Sequence, residues 1–470
     1  MVIIGAGPTG IGAALRLQEL GHRDFLLIDA KTRPGGLAAS HVDARGFTWD
    51  IGGHVHFSHY AEYHRLMNLA LGGAWLERRR DAWIRFDGRY IPYPFQHNIH
   101  RLSRDDRDRA IRDLEQARAR PRRTSPRTFR DWCLATFGRT IADLFMLPYN
   151  RKVWGCPPEM LSADWIAERV SVPTVAALKE QIRTGADSRT WGPNHTFRYP
   201  LRGGTGAIWT SLAARVPAAR RLFGTRIVGV DLRHRTVQAA SGPAIPYDVL
   251  ISTAPLDELA RMARGLPTAV KNAATDLRHS ACHVLGVGLR GPMPRELRSK
   301  SWIYYPSPAS PYHRVTILSN YSPYNTPPGA RLWSLMAEVT DTRPTPIPAA
   351  ALRRAVVPAM RRDGLIPPGA EIVSCWHRRE EYAYPTPFLG RDEVLETLRT
   401  GFEGHGVYPR GRFGAWLYEV SNQDHSCMQG IEVVNRLAGL GHEETILSAG
   451  AARRRTHGAR RGRSVRRASS

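Results

Sequence analysis

A chain of 470 residues is too long for one simple core, so two or three domains sharing a large buried interior are expected. With 42% hydrophobic and 23% charged residues its composition is globular, and with no run of about 18 apolar residues it offers no membrane span. The formal charge of +25 is carried mostly by arginine, eight of them between Arg453 and Arg467; it fits an anionic ligand, while no nucleic-acid reading motif accompanies it, so nucleic acid is not an expected partner.

The chain opens on the unit around which the remainder is arranged. Val2-Ile3-Ile4 reads as a short apolar strand, Gly5-Ala6-Gly7-Pro8-Thr9-Gly10 as a G-x-G-x-x-G turn, and residues 11–20 as an amphipathic helix carrying Leu15, Leu17 and Leu20. A second apolar strand, Phe25-Leu26-Leu27-Ile28-Asp29, ends on an acid. In such a unit Gly5 permits the tight turn, Gly7 lets a pyrophosphate approach the backbone, and Gly10 lets the helix lie close to the sheet. The helix N-terminus offers N–H groups and partial positive charge to phosphates, and Asp29, about twenty residues beyond Gly10, is spaced to hold a ribose hydroxyl. The combination predicts a Rossmann-type α/β domain that binds a dinucleotide. The first strand begins so abruptly that further residues upstream are expected. The unit alone leaves the dinucleotide open; Arg33-Pro34-Gly35-Gly36-Leu37 resembles the second glycine turn of amine-oxidase-type flavoproteins and favours FAD.

Phe47-Thr48-Trp49-Asp50-Ile51 then reads as a strand delivering Gly52-Gly53-His54-Val55-His56-Phe57-Ser58-His59-Tyr60. Two glycines before a histidine imply backbone packed against something flat, such as a flavin ring. No carboxylate or cysteine completes a metal set with the three histidines, so no metal is expected. Residues 83–93 alternate as a hairpin about Asp87-Gly88 and end in Ile91-Pro92-Tyr93-Pro94-Phe95-Gln96, either edge-strand core or a stiff aromatic slot for a planar base with Gln96 at the base edge. Dense alternating charge over 103–120 marks a solvated helix, residues 121–126 break it, and a second helix is expected over 129–145 with Trp132, Phe137, Ile141, Leu144 and Phe145 inward. Helix continues through 165–169, so 96–190 reads as a helical insertion. Arg202-Gly203-Gly204-Thr205-Gly206 opens another helix, followed by a strand over 226–230, a hairpin partner near Val237 and the buried parallel strand Val249-Leu250-Ile251-Ser252. Alternating strands over 284–289, 302–305, 314–319, 333–339 and 372–377 predict a second, mostly antiparallel sheet, and a final helix runs from Asn422 to about Leu440.

Several of these strings together resemble the UDP-galactopyranose mutase family, in the form found in fungi and protozoan parasites: Gly52-Gly53-His54-Val55, Tyr93-Pro94-Phe95-Gln96, Pro148-Tyr149-Asn150, Lys152-Val153-Trp154, Trp191-Gly192-Pro193-Asn194, Ser319-Asn320-Tyr321, Tyr384-Pro385-Thr386-Pro387 and Gly411-Arg412-Phe413-Gly414. The order is kept from Gly5 to about Leu437. The resemblance implies an isomerase in which N5 of reduced FAD attacks the anomeric carbon and displaces UDP, letting the pyranose and furanose rings of UDP-galactose interconvert with no net redox. It implies His54, Arg169, Arg314 and Arg412 as catalytic. Tyr93, Phe95, Gln96, Asn150 and Trp154 make a uridine slot, and Tyr321, Tyr384 and Tyr418 join Arg314 on the pyrophosphate. Asn194 and Asn422 lie about the sugar and adjoining phosphate, and Tyr304 borders sugar and flavin. FAD is expected on Gly5, Gly7, Gly10, Asp29, Gly36, Ser40, Gly53, the backbone at Ile227, Gln423 and Ser426, with the final helix aimed at the flavin pyrimidine. NAD(P)H is implied as reductant: Arg80 matches a position linked to NADPH, although Ala82 stands where the family has serine. Two further departures are His56, in place of an aliphatic residue, and Cys427, in place of an aromatic.

The expected architecture is a FAD-binding domain from residues 1–60, 195–278 and 405–445, a helical substrate domain over 96–190, an antiparallel sheet domain from 61–95 and 279–404, and a basic disordered tail over 446–470. Five scattered cysteines without a C-x-x-C imply reduced thiols and a cytoplasmic setting. The competing reading on the same fold is a FAD-dependent oxidoreductase of the amine-oxidase or desaturase type, which an apolar substrate funnel would favour.

Overall fold

The computed structural model describes residues 1–120, 125–166, 170–329, 331–343 and 345–447. Its first layer is a five-stranded parallel sheet in the order Val407–Pro409, Leu250–Ser252, Val2–Ile4, Leu26–Asp29, Arg221–Phe223. Alternation along the first strand sends Val2 and Ile4 to one face and Ile3 to the other, so each face carries its own core. On Ile3's side lie the first helix, Pro8–Glu19, and the last, Gln423–Leu437. These two helices touch backbone to backbone. A Cβ on Gly12 would come 2.7 Å from the Cys427 carbonyl oxygen, and one on Gly430 would come 1.9 Å from that of Thr9. Cys427 is fully buried, and a Cβ on Gly12 would lie 3.1 Å from its Sγ.

The second layer is a seven-stranded sheet in the order Glu371–Pro385, His279–Arg290, Leu332–Asp341, Arg314–Thr316, Trp302–Tyr304, Ala82–Phe86, Arg89–Pro92. All its pairings are antiparallel except that of Trp302–Tyr304 with Ala82–Phe86. Gly286 and Gly288 on the second of these strands leave room for the Trp49 and Phe47 rings, each of which a Cβ would meet at 2.6 Å. The strand Thr48–Asp50 thereby lies flat on the large sheet and hands the chain to Gly52 at the junction of the layers.

Several expectations change on folding. The segment 61–95 is divided: the hairpin 82–92 joins the large sheet, whereas the helix Ala61–Leu71 buries Tyr63, Leu66 and Met67 in the core of the nucleotide-binding layer, beside Ile208 and Trp209. Between them, Trp75–Arg79 pairs with Thr196–Pro200 as a separate two-stranded sheet. The helix expected over 129–145 is interrupted. Gly138 has φ of +75° because a Cβ there would meet the Asp113 backbone at 2.6 Å; the α-helix ends at Ile141 and a π-helical turn, Ala142–Met146, leads into the helix Leu147–Trp154. Residues 165 and 166 are not helical, and 167–169, with Arg169, lie outside the described residues, as does the basic stretch from 448 onward. Among the described residues no helix is long and apolar enough to cross a membrane, and all five cysteines are unpaired.

Candidate active site

The glycine turn has the shape that a dinucleotide needs. Gly5 has φ of +99°, a Cβ on Gly10 would strike the Gly5 carbonyl oxygen at 1.8 Å, and a Cβ on Gly7 would meet only the Gly36 Cα, at 4.0 Å. Space therefore opens in front of Gly7 between the two glycine turns. The first helix begins there without a side-chain cap, and the last begins at the exposed Asn422 also without one. Two sets of free N–H groups result, the donor array that phosphates and an electron-rich ring favour. Asp29 takes the Ala6 N–H on Oδ2 (2.6 Å) and the Lys31 N–H on Oδ1 (2.7 Å), bracing the turn while keeping acceptor capacity. Burial pushes its carboxyl up against the pull of those two N–H groups.

At the junction of the layers lies a charge pair that strand register creates. Arg314 and Glu338 are direct cross-strand partners. They meet bidentately, Nε to Oε1 and Nη2 to Oε2, both at 2.7 Å. The Gly53 N–H donates to Glu338 Oε1 at 3.1 Å, and Tyr384 Oη reaches Oε2 at 3.5 Å. Burial works against the Glu338 charge, but Arg314, His313 and the Gly53 N–H together hold its carboxyl down to about 2. Gly52 sits between this carboxylate and His54: a Cβ there would lie 3.4 Å from Glu338 Oε2 and 3.9 Å from His54 Nε2. Burial, reinforced by Arg314 and Arg412, depresses His54 to about 4, so the imidazole is neutral near pH 7. Its buried Nδ1 has no hydrogen-bond partner, nor has the buried Thr316 Oγ1 beside Gly53, leaving polar atoms for a ligand at this junction.

Arg412 donates to the Ala383 carbonyl at 2.7 and 3.0 Å and to Ser421 Oγ at 2.7 Å, and its guanidinium lies 5.4 Å from the Tyr384 ring centre and 5.7 Å from that of Tyr418. From there an aromatic belt extends into the helical insertion: Tyr418 against Trp154 (4.7 Å) and Trp165 (5.5 Å), and Tyr304 against both Tyr149 (5.2 Å) and Tyr93 (5.4 Å). Arg80 sits 5.2 Å over Tyr93 and donates to Asn194 Oδ1 and the Trp191 carbonyl. Asn150 is tied to its own helix, donating to the Met146 carbonyl and accepting from Trp154 Nε1.

Several expected ligands point into the protein instead. Phe95 is wholly buried, stacked 4.8 Å from Phe145, which in turn stacks 5.2 Å from Tyr149; it is core beneath the belt, and no wall of an open slot. Gln96 is buried and donates to the Ser171 carbonyl. Ser40 Oγ donates to Asp50 and accepts the Gly206 N–H, so its hydroxyl is spent internally. Gln423 accepts from Trp209 Nε1 at 2.6 Å and donates to Thr205, and Ser426 Oγ donates to the Ser421 carbonyl. Tyr321 is buried between Phe197 and Tyr199. Ile227 lies in a strand whose pairing shifts register immediately after it. His56 is locked by Tyr63 Oη (3.0 Å) and Thr205 Oγ1 (2.5 Å), which accounts for a histidine where an aliphatic residue was expected. Glu338 and Tyr149 went unassigned in the sequence reading. The signal for Glu338 is a lone carboxylate inside the otherwise apolar run Leu335-Met336-Ala337-Glu338-Val339.

Residues 8–413 match the flavin containing amine oxidoreductase family. A crystal structure of reduced UDP-galactopyranose mutase is 41% identical, covers 96% of both chains and superposes with a TM-score of 0.92. A putative protoporphyrinogen oxidase from Exiguobacterium sp. 255-15 (15% identity, 93% of this chain and 98% of that one, TM-score 0.68) and a CLA-producing fatty acid isomerase from P. acnes (14%, 93% and 97%, TM-score 0.61) share the fold. The chain therefore belongs to the flavin-containing amine oxidoreductase family, in its UDP-galactopyranose mutase branch.

Proposed function

We propose that the chain is a UDP-galactopyranose mutase, an isomerase acting on UDP-galactopyranose and UDP-galactofuranose without net oxidation. The observation that carries this reading is the 41% identity to that enzyme over 96% of both chains. The lining supports it independently. Arg314, Arg412, Glu338 and the hydroxyls of Tyr304, Tyr384 and Tyr418 gather at one junction, a polar and cationic surface suited to a diphosphate and opposed to the apolar funnel of an amine oxidase.

Ring contraction requires the anomeric C–O bond to the nucleotide to break and to be remade. FAD, bound and reduced, supplies a nucleophilic ring nitrogen for the anomeric carbon in the interval. The chain's own residues do the remainder. The turn at Gly5, Gly7, Gly10 and Gly36 receives the cofactor pyrophosphate, Asp29 a ribose, and the uncapped turns at Gly7 and Asn422 the negative charge. Arg314, with Tyr384 and Tyr418, stabilises the charge that grows on the departing UDP, and Glu338 keeps that guanidinium aimed while unliganded. Arg412, Arg169, Asn194 and Asn422 attend the sugar and adjoining phosphate, with Tyr304 beside them. Neutral His54 offers a hydrogen bond without adding a competing cation. Tyr93, Asn150 and Trp154 hold uridine, Tyr149 joins them, and Phe95 and Gln96 support the slot from below. NAD(P)H serves as reductant, approaching by Arg80.

The test is anaerobic incubation of dithionite-reduced protein with UDP-galactofuranose, followed by chromatography. UDP-galactopyranose is expected from reduced protein alone; equal conversion by oxidised protein overturns the reading.

A further inference from the structure

Lys152 lies on the helix Leu147–Trp154, two residues after Asn150 and two before Trp154. Its ammonium makes no contact with the nucleotide-side groups described above. It donates instead to four main-chain carbonyls of one loop: Tyr305 (2.7 Å), Ser307 (2.8 Å), Ser310 (2.9 Å) and Tyr312 (2.7 Å). That loop joins the strand Trp302–Tyr304 to the strand Arg314–Thr316, so it separates two residues of the active site, Tyr304 and Arg314. Four carbonyl oxygens turned on one centre at such distances are how a protein backbone replaces the hydration shell of a monovalent cation. An ammonium has three N–H groups, so four acceptors exceed what ordinary hydrogen bonding needs. The loop is anchored from behind: Ser310 Oγ donates to Asp363 at 2.6 Å and Tyr312 Oη donates to the same carboxylate oxygen. Burial pushes the amine down, to about 7, with Asp363 opposing.

The same seam is stitched three times more. Thr340 Oγ1 donates to the Val153 carbonyl at 3.0 Å, Thr342 Oγ1 to the Gly155 carbonyl at 3.1 Å, and Tyr149 meets Tyr304 edge-on at 5.2 Å. One side of the seam carries Asn150 and Trp154, the other Tyr304 and Arg314. We infer that Lys152 is a tethered internal cation: its ammonium fills a four-carbonyl cage in the loop 305–312 and thereby positions the nucleoside-facing helix against the Arg314 strand for binding a nucleoside diphosphate. The cage stands on geometry alone; the binding consequence rests on the function proposed above.

Two variants separate these parts. Lys152→Ala empties the cage, and Lys152→Met fills the stem's volume without charge. Thermal unfolding of the oxidised, FAD-loaded protein is followed in about 100 mM ammonium, potassium or choline chloride, and UDP affinity is titrated in the same buffers. Lys152→Ala is expected to melt below wild type in choline and to recover in ammonium or potassium, whereas wild type and Lys152→Met show no such cation dependence. UDP affinity is expected to fall about tenfold or more in both variants, with ammonium restoring it only in Lys152→Ala. Absence of cation discrimination in Lys152→Ala, or wild-type UDP affinity in Lys152→Met, overturns the inference. Should Lys152→Ala not fold, Lys152→Met alone still decides. Failure of wild type itself to bind UDP would overturn the proposed function and leave the cage to be judged by the melting curves.

Discussion

Replacing Glu338 by its isosteric amide (Glu338→Gln) leaves the Arg314 guanidinium, whose side chain is 21% exposed, beside a neutral partner. Breaking a fully buried pair from one side destabilises by about 3–5 kcal/mol, and the partial solvation of Arg314 puts the expected loss at the lower end of that range. A urea melt should show that loss, and turnover should fall with it, since Arg314 is then free to leave its aimed rotamer. Wild-type stability in the variant would mean that solvent reaches the pair. This glutamate was invisible to pattern reading for a physical reason. Its strand is buried on both faces, so period-2 alternation is absent, and only the pairing of Arg314 with Glu338 in register brings the charges together. Phe95 failed in the opposite direction. The sequence correctly offered core and slot as alternatives, and which face the ring takes was decided by Phe145 arriving from a helix fifty residues on.

Whole elements were more legible than the faces they present. The first strand, glycine turn, helix and second strand were readable because local sterics dictate them: Gly5 and Gly10 occupy backbone positions where any Cβ collides. The kink at Gly138 was not, because it goes with the close approach of Asp113 from a neighbouring helix, and nothing local in the sequence marks the π-helical turn that follows. The packing of the first helix on the last is the most demanding contact between elements. Gly430→Ala would push a methyl carbon to 1.9 Å from the Thr9 carbonyl oxygen, and neither backbone can yield. We expect a loss of more than about 2 kcal/mol, at the upper range for overpacking, together with reduced FAD content after purification, because Thr9 belongs to the glycine turn. Gly73→Ala, where a Cβ meets nothing within 4 Å, is the control and should stay within about 0.5 kcal/mol of wild type.

Over the whole molecule, stability should fall as acid is added, in two stages. His54 is depressed to about 4 and His56 and His313 to about 3, chiefly by burial, so below pH 6.5 the unfolded chain takes up protons that the folded one refuses. Asp50 and Glu432 are raised to about 6 by burial and work the other way between that pH and about 4, where the folded state holds the extra protons. His41, His97, His100, His283 and His377 are depressed by burial as well, and Asp29 is raised by it, so depressed histidines outnumber raised carboxyls and the net is a decline. Below pH 4 the carboxyl contribution vanishes, Glu338 and Asp341, held down to about 2, begin to oppose acid, and the fall steepens. Melting temperature measured from pH 7 to 3 should bend near pH 4; a monotonic rise on acidification would contradict the burial of those rings. Deleting residues 448–470, which hold the eight clustered arginines, should leave turnover unchanged, and a fall in turnover would contradict the reading of that stretch as incidental to catalysis.

The contact of Gly12 with Cys427 and of Thr9 with Gly430 also bears on biosynthesis. The cofactor cradle draws its parts from the two extremes of the polypeptide, with strands contributed near residues 250 and 407. A ribosome releasing the chain from its N-terminus exposes the glycine turn hundreds of codons before the helix that completes it. The nucleotide-binding layer therefore cannot close its core until the last helix has been translated, and a chain stopped before residue 423 is expected not to retain flavin.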